Sequence, residues 1–292
     1  MDFFAIDVET ANADYSSICQ IGIAAFENEK IVDSIKTYID PEDFFDGMNV
    51  SINNITPEMV KGSPTFGQMY KVLSSRLNKN VIVHYSAFDR VAITRACEKY
   101  DCPELSFHWL DAARVVRRTW DEFAYKGYGL TNVAAKLSIQ FQHHDALEDA
   151  IAAGRIFLAA CKEKQLDIQG WTERIKKPIG IHTKNGNYAK PDKLAGNPIG
   201  EFFGETLVFT GSMVLPRREA TKIAADAGFT VAPNVTKKTT YLVIGIQNID
   251  RLKGYEKSSK QRKAEKLIKD GQNIQLMSEK DFQMLVNLPA AD

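Results

Sequence analysis

The stretch Phe3-Phe4-Ala5-Ile6-Asp7-Val8-Glu9-Thr10 ends an apolar run with two acidic residues that are two positions apart. In a β-strand, side chains at positions i and i+2 point to the same face of the sheet. Asp7 and Glu9 should therefore stand side by side at the end of a buried strand. Two carboxylates that close repel each other unless a proton or a cation lies between them. Because oxygen ligands suit Mg²⁺ or Mn²⁺, the stretch predicts a cation site, although Asp-x-Glu alone is a common pattern.

The length and composition of the chain indicate a globular protein of two domains. Its 292 residues are 44% hydrophobic and 25% charged, as in proteins with packed cores. No apolar stretch approaches the roughly 20 residues that a membrane helix needs, and the N-terminus shows no secretory signal. The four cysteines form no Cys-x-x-Cys pair, which argues against a disulfide framework or a zinc site. We therefore expect a cytoplasmic protein without a membrane partner.

The formal net charge is zero, but the two halves of the chain differ in charge. Residues 1–162 carry 16 Lys and Arg against 22 Asp and Glu, whereas residues 163–292 carry 21 against 15. The acidic excess suits a first half that binds cations, and the basic excess suits a second half that contacts a polyanion. Ordinary surface variation accounts for a swing of this size equally well.

The first domain is predicted to span residues 1–162 and to belong to the α/β class. The polar tetrapeptide Glu27-Asn28-Glu29-Lys30 joins two apolar runs as in a hairpin. Early strands that meet by hairpins, followed by helices that alternate with a further strand, indicate a mixed sheet flanked by helices. Strands are predicted at 3–8, 18–27, 31–39 and 81–83, and helices at 65–77, 89–100, 111–118, 131–137 and 146–161.

The composition changes between residues 163 and 200, where Gly, Pro, Asn and Lys are frequent and no periodicity is visible. We predict a basic linker there, and a second domain over residues 201–292. The order of its elements, β-α-β-β-α-β-α, indicates a small parallel sheet covered by helices. Strands are expected at 205–211, 228–231, 241–245 and 273–276, and helices at 217–227, 258–270 and 278–285.

Two further carboxylates complete the candidate site of the first domain. Asp89 follows an apolar strand and opens a helix, so it lies at the sheet edge where ligands of α/β proteins gather. Asp149 begins the last helix of the domain, and His144 precedes it on the loop that leads into this helix. Four carboxylates can hold two divalent cations about 3.5–4 Å apart, which clamp the attacking and leaving oxygens of a phosphodiester. A histidine with an ordinary pKa of about 6.5 can take the proton from the attacking water.

These residues carry a resemblance to a known family. The segments Asp7-Val8-Glu9-Thr10, His84-x4-Asp89 and His144-x4-Asp149 resemble, in the same order, the three motifs of the DEDDh (DnaQ-like) exonucleases. That family includes the epsilon proofreading subunit of bacterial DNA polymerase III. The resemblance covers about residues 1–162. It implies an RNase H-like fold and 3′→5′ exonuclease action on nucleic acid with two divalent cations, Mg²⁺ or Mn²⁺.

The resemblance also implies catalytic and metal-binding roles. Asp7, Glu9 and Asp149 would hold the metal ion on the side of the nucleophile. Asp7 would also reach the second metal ion, and Asp89 would assist it directly or through water. His144 would be the general base, because a histidine stands where another branch of the family has a tyrosine.

Other positions are expected to lie near the substrate or to support the site. Thr10 is predicted to contact the substrate, and His84 to contact it or to be structural. His143 is expected to be solvated. Tyr85 departs from the resemblance, since many relatives have Asn at that position, and it leaves the local contacts to the substrate open. The segment Gly127-Tyr128-Gly129-Leu130 is expected to have a structural role.

The second domain carries a resemblance of its own. The segments Lys237-Lys238-Thr239-Thr240-Tyr241-Leu242-Val243-Ile244-Gly245 and Ser258-x-Lys260-x3-Ala264 resemble the BRCT domain, most closely that of bacterial NAD-dependent DNA ligases. The match covers about residues 201–287. It implies a module that targets the chain to DNA or to a partner protein.

An anion pocket is predicted where the first strand of the second domain ends. There, the hydroxyl of Thr210, the amide of Gly211 and the helix that begins at Arg217 can together bind a phosphate. The BRCT resemblance implies phosphate binding by Thr210, Gly211 and Lys260, with help from Arg217, and hence contact with a 5′-phosphate of DNA. A protein-docking or packing module without a phosphate site fits the sequence equally well.

The sequence thus predicts a metal-dependent 3′→5′ exonuclease that hydrolyses the phosphodiester bonds of DNA, in repair or proofreading. Single-stranded 3′ ends would be its substrate, and a replication or repair protein its partner. DNA is favoured over RNA because BRCT domains accompany DNA repair, which is an association and not a physical reason. One alternative is an RNA-trimming 3′→5′ exoribonuclease of the same fold, since DNA and RNA differ at the 2′-OH. The other is a non-catalytic binding platform.

Overall fold

The chain folds into two compact units, each with its own sheet. The computed structural model describes residues 1–177, 179, 196–247, 252 and 255–287. The first unit comprises Met1–Lys177, and the second contains the described residues that follow it. Within these residues, no helix combines the length and the apolarity that crossing a membrane requires.

The first unit is built on a mixed five-stranded sheet. Its strands are β1 (Phe3–Thr10), β2 (Ile18–Glu27), β3 (Lys30–Tyr38), β4 (Val81–His84) and β5 (His108–Asp111). They lie in the order β3-β2-β1-β4-β5. The pairs β1–β2 and β2–β3 are antiparallel, whereas β1–β4 and β4–β5 are parallel. The mixed α/β sheet predicted for the first domain is therefore confirmed.

β1 lies in the middle of this sheet, and its apolar side chains hold it there. Ile6 is fully buried, and Asp7 lies opposite Gly22 of β2. The pairing with β2 stays regular until its register shifts between Glu9 and Thr10. A bulge of this kind bends the strand and changes the direction of its side chains. The acidic end of β1 is thus the place where regular pairing stops.

Helices cover the sheet, and the longest of them packs across its centre. The helices of the first unit are α1 (Gly47–Asn53), α2 (Pro57–Val60), α3 (Phe66–Leu77), α4 (Phe88–Lys99), α5 (Ala112–Thr119), α6 (Leu130–Lys136), α7 (Ala146–Lys164) and α8 (Ile168–Ile175). α7 packs on β1 and β2 at two glycines. A Cβ at Gly154 would lie 2.4 Å from the ring of Phe26, and one at Gly22 would lie 2.2 Å from the backbone of Ala146. Only glycine permits these approaches.

The structure extends the first unit into the predicted linker, which was to begin at residue 163. α7 continues to Lys164, and α8 begins after three intervening residues. Trp171 of α8 is fully buried in the core of the first unit. Asp167 caps the helix by accepting a hydrogen bond from the N–H of Gly170, at 2.8 Å. α8 was not predicted from the sequence, and neither were β5, α1 and α2, whereas the equally short helices α5 and α6 were.

Arginines of α5 hold the end of α8. Arg114 donates a hydrogen bond to the carbonyl of Ile175 at 2.9 Å, and Arg118 donates two to the carbonyl of Lys177. Cations at a helix C-terminus are favourable because the last carbonyls lack partners within the helix. Burial lowers the pKa of Arg118 to about 9, and the charge of Arg114 contributes. Most of the remaining predicted linker lies outside the described residues.

The second unit is built on a parallel four-stranded sheet in the order β7-β6-β8-β9. Its elements are β6 (Thr206–Thr210), α9 (Arg217–Asp226), β7 (Thr230–Ala232), β8 (Tyr241–Ile244), α10 (Ser259–Lys269), β9 (Gln275–Ser278) and α11 (Glu279–Asn287). Val208, Leu242 and Ala264 are fully buried between the sheet and its helices. The predicted parallel sheet and the predicted order of elements are both present.

Replacing Gly22 with Ala is expected to destabilise the first unit, because the new Cβ would overlap the backbone of α7. Overpacking of this kind costs about 1–3 kcal/mol or more. The three tryptophans of the chain, Trp109, Trp120 and Trp171, all lie in the first unit. Tryptophan fluorescence during urea denaturation therefore reports the free energy of unfolding of this unit alone.

Gly47→Ala is the matched control for this experiment. Gly47 is exposed, and a Cβ there meets nothing within 4 Å. We expect its free energy of unfolding to change by less than about 1 kcal/mol. Identical unfolding curves for the Gly22 and Gly47 variants would contradict the close approach of α7 to β2.

Candidate functional site

Three carboxylates from distant parts of the chain converge at the end of β1. Asp7 and Glu9 extend from the strand, and Asp149 comes from the first turn of α7. One oxygen of each lies within 4.8 Å of those of the other two. Glu9 and Asp149 are buried, and Asp7 is partly buried. The structure thus brings together three of the predicted site residues, with Asp7 and Glu9 on one face of β1.

Polar contacts at the sheet fix the start of α7. Asp145 caps the helix through the backbone N–H groups of its first turn, and it forms an ion pair with Lys36 of β3. Gln20, which lies opposite Glu9 on β2, accepts a hydrogen bond from the N–H of Ala146 at 2.9 Å. These contacts determine where the next turn of the helix places Asp149.

Asp89 lies in the first turn of α4 and is not one of the three converging carboxylates. Its Oδ1 accepts a hydrogen bond from the N–H of Val8 at 3.0 Å, so it ties α4 to β1. Its Oδ2 is buried and has no hydrogen-bond partner among the residues that the structure describes. The N-cap position itself belongs to Ala87. A buried carboxylate oxygen without a hydrogen-bond partner is costly, and a cation or a water would satisfy it.

Burial and mutual repulsion both disfavour negative charge at this site. Burial raises the pKa of Asp7 well above its usual range, and the charges of Asp89, Asp149 and Glu9 raise it further. Burial also raises the pKa of Asp89, although the N–H of Val8 opposes this effect. A divalent cation would relieve both penalties, and carboxylate oxygens are the ligands that Mg²⁺ and Mn²⁺ prefer. The donor set therefore fits divalent metal ions.

His144 lies beside the carboxylates, in the turn before α7, and its backbone adopts the left-handed region with a φ of 64°. Its Nδ1 is 3.6 Å from Oε1 of Glu9, and its backbone N–H donates a hydrogen bond to Oδ2 of Asp149 at 3.0 Å. Burial alone would lower the pKa of His144, but the hydrogen bond and the charge of Glu9 outweigh burial and raise that pKa. The side chain is 38% exposed, so a water can reach it.

Two further residues contact the site without having been predicted to do so. Nδ1 of His143 lies 3.1 Å from both oxygens of Asp149, and its ring stacks on that of His144 at 3.8 Å. His143 is 40% exposed, so it is partly solvated as expected, but it also contacts a site carboxylate. Asn53, at the end of α1, donates to Oε2 of Glu9 at 3.4 Å. No sequence pattern pointed to Asn53, because α1 itself was not predicted.

Thr10 and His84, the predicted substrate contacts, both lie in the interior. Thr10 is 4% exposed, and its carbonyl and hydroxyl accept hydrogen bonds from Asn49. His84 is 2% exposed, its ring packs edge-on against Trp109, and its Nδ1 contacts the carbonyl of Ser86. Burial lowers the pKa of His84. Both side chains are therefore buried, and their contact with a substrate stays a prediction.

Tyr85, the residue that departs from the resemblance, supports the segment Gly127-Tyr128-Gly129-Leu130. Its hydroxyl donates a hydrogen bond to the carbonyl of Tyr128 at 2.5 Å. Burial raises the pKa of Tyr85, which keeps the hydroxyl protonated as a donor. The guanidinium of Arg117 lies 4.6 Å from the ring of Tyr128 and covers its face. The segment is thus part of the packing of the first unit.

The predicted phosphate pocket of the second unit lies at the end of β6. It comprises Thr210, Gly211, Arg217 and Lys260. Gly211 has a φ of 76°, and its carbonyl accepts a hydrogen bond from Arg217. The hydroxyl of Thr210 is 2.7 Å from that of Ser258, and Lys260 donates to the carbonyl of Phe209 at 3.0 Å. Burial, and then the charge of Arg217, lower the pKa of Lys260. The two cations lie close together, but each already contacts a backbone oxygen.

Known proteins match the first unit. Residues 4–157, more than half of the chain, match the family model described as RNase_T, Exonuclease. The DNA polymerase III PolC-type protein of Halalkalibacterium halodurans is 25% identical over 166 residues, which are 56% of this chain and 11% of that protein. The protein of the same name from Listeria welshimeri is 28% identical over 154 residues, or 51% of this chain and 10% of that protein. The chain thus spans about a tenth of the length of these relatives.

Two solved exonuclease structures are also similar. Exonuclease X in complex with 5′ overhanging duplex DNA is 18% identical with a TM-score of 0.48, over 59% of this chain and 99% of the other. Exonuclease I is 16% identical with a TM-score of 0.49, over 60% of this chain and 44% of the other.

Replacing Asp7 with Asn is expected to stabilise the chelator-treated chain at neutral pH. The pKa of Asp7 is raised in the folded state, so ionising Asp7 is harder in the folded chain than in the unfolded chain. The folded chain therefore loses stability as the pH rises above the unfolded pKa of about 3.9. The amide cannot ionise, and the advantage of the variant should therefore shrink as the pH falls towards 4. Urea denaturation followed by tryptophan fluorescence measures the difference between variant and parent at each pH.

Asp121→Asn serves as the control, because Asp121 is exposed and lies away from the acidic group along the chain. Its free energy of unfolding should stay close to that of the parent at every pH. If Asp7→Asn were as stable as this control throughout, the carboxylates would not be repelling one another in the folded chain.

Proposed function

This chain belongs to the RNase_T exonuclease family, and we propose that it is a metal-dependent 3′→5′ exonuclease that hydrolyses the phosphodiester bonds of DNA. One observation carries the proposal: Asp7, Glu9 and Asp149 converge within 4.8 Å, with His144 beside them. The 3′→5′ direction rests on the resemblance of the three sequence motifs to those of DEDDh exonucleases.

Asp7, Glu9 and Asp149 would hold two divalent cations, Mg²⁺ or Mn²⁺, with Asp89 as the fourth acidic group. When bound, the cations neutralise and polarise the scissile phosphate. The task of the chain is to fix the oxygens before the substrate arrives, since preorganised charges need no rearrangement during the reaction. A central strand and the first turn of a long helix are rigid supports for this purpose.

His144 would act as the general base that takes the proton from the attacking water. Its Nδ1 faces Glu9, which orients the ring and leaves Nε2 available to accept a proton. Glu9 also stabilises the imidazolium that forms, by its charge and its hydrogen bond. The backbone N–H of His144 donates a hydrogen bond to Oδ2 of Asp149, so the base and the carboxylate are positioned together.

DNA is the proposed substrate because the relatives of the first unit carry the name DNA polymerase III. A role in proofreading or repair, on single-stranded 3′ ends and together with a replication or repair protein, follows from the same relationship.

The second unit would target this activity as a BRCT domain, over about residues 201–292. Its parallel sheet and the Lys237–Gly245 segment support that assignment. Thr210, Gly211, Arg217 and Lys260 would bind a 5′-phosphate of DNA.

A time course on single-stranded DNA labelled at its 5′ end tests the proposed function directly. With Mg²⁺ or Mn²⁺, the labelled strand should shorten progressively, and with chelator it should stay intact. Immediate release of a labelled mononucleotide would show the opposite direction. Unlabelled RNA of the same sequence, added at equal concentration, should compete poorly, and faster degradation of the RNA would establish the exoribonuclease alternative.

His144→Ala is expected to lower the rate of DNA hydrolysis by about 10²–10⁴-fold, because it removes the general base. Initial rates at saturating substrate and fixed Mg²⁺ concentration measure the loss. His108→Ala is the control, since His108 is an exposed histidine of β5, and its rate should match that of the parent.

An unchanged rate of DNA hydrolysis in Asp7→Asn would instead support a binding platform, since a shared metal ligand cannot be lost without effect.

Lys260→Ala is expected to weaken the binding of DNA that carries a 5′-phosphate and to flatten its salt dependence by about one charge. The affinity for the same DNA without the phosphate should change little. Lys263→Ala is the matched control, because Lys263 is exposed on the same helix, α10. Fluorescence anisotropy at several salt concentrations gives these affinities. Equal affinity of the parent for both DNAs would exclude the phosphate pocket and favour a docking module.

A further inference from the structure

A second group of metal-binding atoms lies next to the acidic one. One ring nitrogen of His143, one ring nitrogen of His144 and one oxygen of Asp149 all lie within 4.8 Å of one another. The two imidazole rings are stacked, with centroids 3.8 Å apart and an angle of 22° between the planes. Asp149 belongs to both groups, so it marks the boundary between an oxygen-only donor set and one that is rich in nitrogen.

The candidate ligand atoms of these three side chains lie near enough to share one ion after a ring rotation. His143 places Nδ1 at 3.1 Å from each oxygen of Asp149. The backbone N–H of His144 donates a hydrogen bond to Oδ2 of the same carboxylate at 3.0 Å. Ligand atoms around one tetrahedral Zn²⁺ lie about 3.4 Å from one another, given Zn–N distances of about 2.1 Å. Because the two rings are nearly parallel, one imidazole must turn out of the stack to point at the same ion, and both side chains are exposed enough to do so.

We propose that His143, His144 and Asp149 form a binding site for Zn²⁺ that shares Asp149 with the oxygen-only site of Asp7 and Glu9. Two imidazoles and one carboxylate suit Zn²⁺, whereas Mg²⁺ is held by oxygen ligands. The spacing of the cysteines argued against a zinc site, but the proposed donor set contains no cysteine. The side chains of His143 and His144 are 40% and 38% exposed, so an ion can enter from solvent, while Asp149 provides a buried anchor.

Occupation of this site would have a consequence for catalysis, which rests on the proposed function. Zn²⁺ bound there would engage Asp149, a ligand of the catalytic cations, and His144, the general base. A neutral imidazole has one nitrogen lone pair, so a His144 that is bound to Zn²⁺ through either nitrogen cannot take a proton from water. We therefore expect Zn²⁺ to inhibit DNA hydrolysis in the presence of Mg²⁺, in a manner that depends on His143.

Calorimetric titration of the full, chelator-stripped chain with Zn²⁺, and separately with Mn²⁺, tests the site without any substrate. His143→Gln should weaken Zn²⁺ binding by at least about tenfold and clearly more than Mn²⁺ binding, because glutamine can still donate a hydrogen bond to Asp149 but offers Zn²⁺ no imidazole. Asp7→Asn should do the reverse, because Asp7 belongs only to the oxygen group. His108→Gln is the matched control and should bind both ions like the parent.

Equal Zn²⁺ affinity of the parent and His143→Gln, or a loss of Zn²⁺ affinity in Asp7→Asn alone, would overturn the proposed site. X-ray absorption of the Zn²⁺-loaded parent chain gives a result that needs no variant. Two imidazole ligands are expected, and one or none would reject the assignment. Failure of the exonuclease proposal would appear separately, as absence of DNA hydrolysis with Mg²⁺ or Mn²⁺, and would leave the measured Zn²⁺ affinity intact.

Discussion

The contact between Gly22 of β2 and the backbone of Ala146 is the constraint on which the site depends. Gly22 lies opposite Asp7, and its lack of a side chain lets α7 begin directly against the sheet. Asp149 stands one turn further along this helix and so reaches the acidic end of β1. A larger residue at position 22 would move the helix and its carboxylate away from Asp7. A non-catalytic residue thus determines whether residues 142 positions apart in the chain can meet.

The fold retains these carboxylates although burial and repulsion oppose their charge. It does so by directing N–H groups at them: Val8 donates to Asp89, Asn53 to Glu9, and the backbone of His144 to Asp149. The hydrogen bond from Val8 offsets the burial of Asp89 only in part, since the pKa of Asp89 remains raised, and burial raises the pKa of Asp7 as well. A cation would supply the remaining stabilisation. Raised pKa values at buried acidic groups are expected where stability is given up for function.

Much of this arrangement can be predicted from the sequence, because long apolar patterns and spaced motifs leave clear signals. The strands around β1, the helix α7 and the order of elements in the second unit are all visible as periodicity. α8 is not, since a single buried tryptophan, Trp171, anchors it where the sequence suggests a linker. Contacts of single residues are equally hidden: the burial of His84 and the hydrogen bond from Asn53 depend on tertiary packing, which no local pattern encodes.

The two units differ in how their polar groups are satisfied, and this difference bears on what each can bind. In the first unit, Oδ2 of Asp89 is buried without a hydrogen-bond partner among the described residues, so a ligand there would replace no existing contact. In the second unit, Lys260 and Arg217 already donate to the carbonyls of Phe209 and Gly211. A phosphate would have to exchange these bonds for its own, and the net gain per bond would be small. Affinity for phosphate would therefore come mainly from the convergence of two positive charges, which salt weakens.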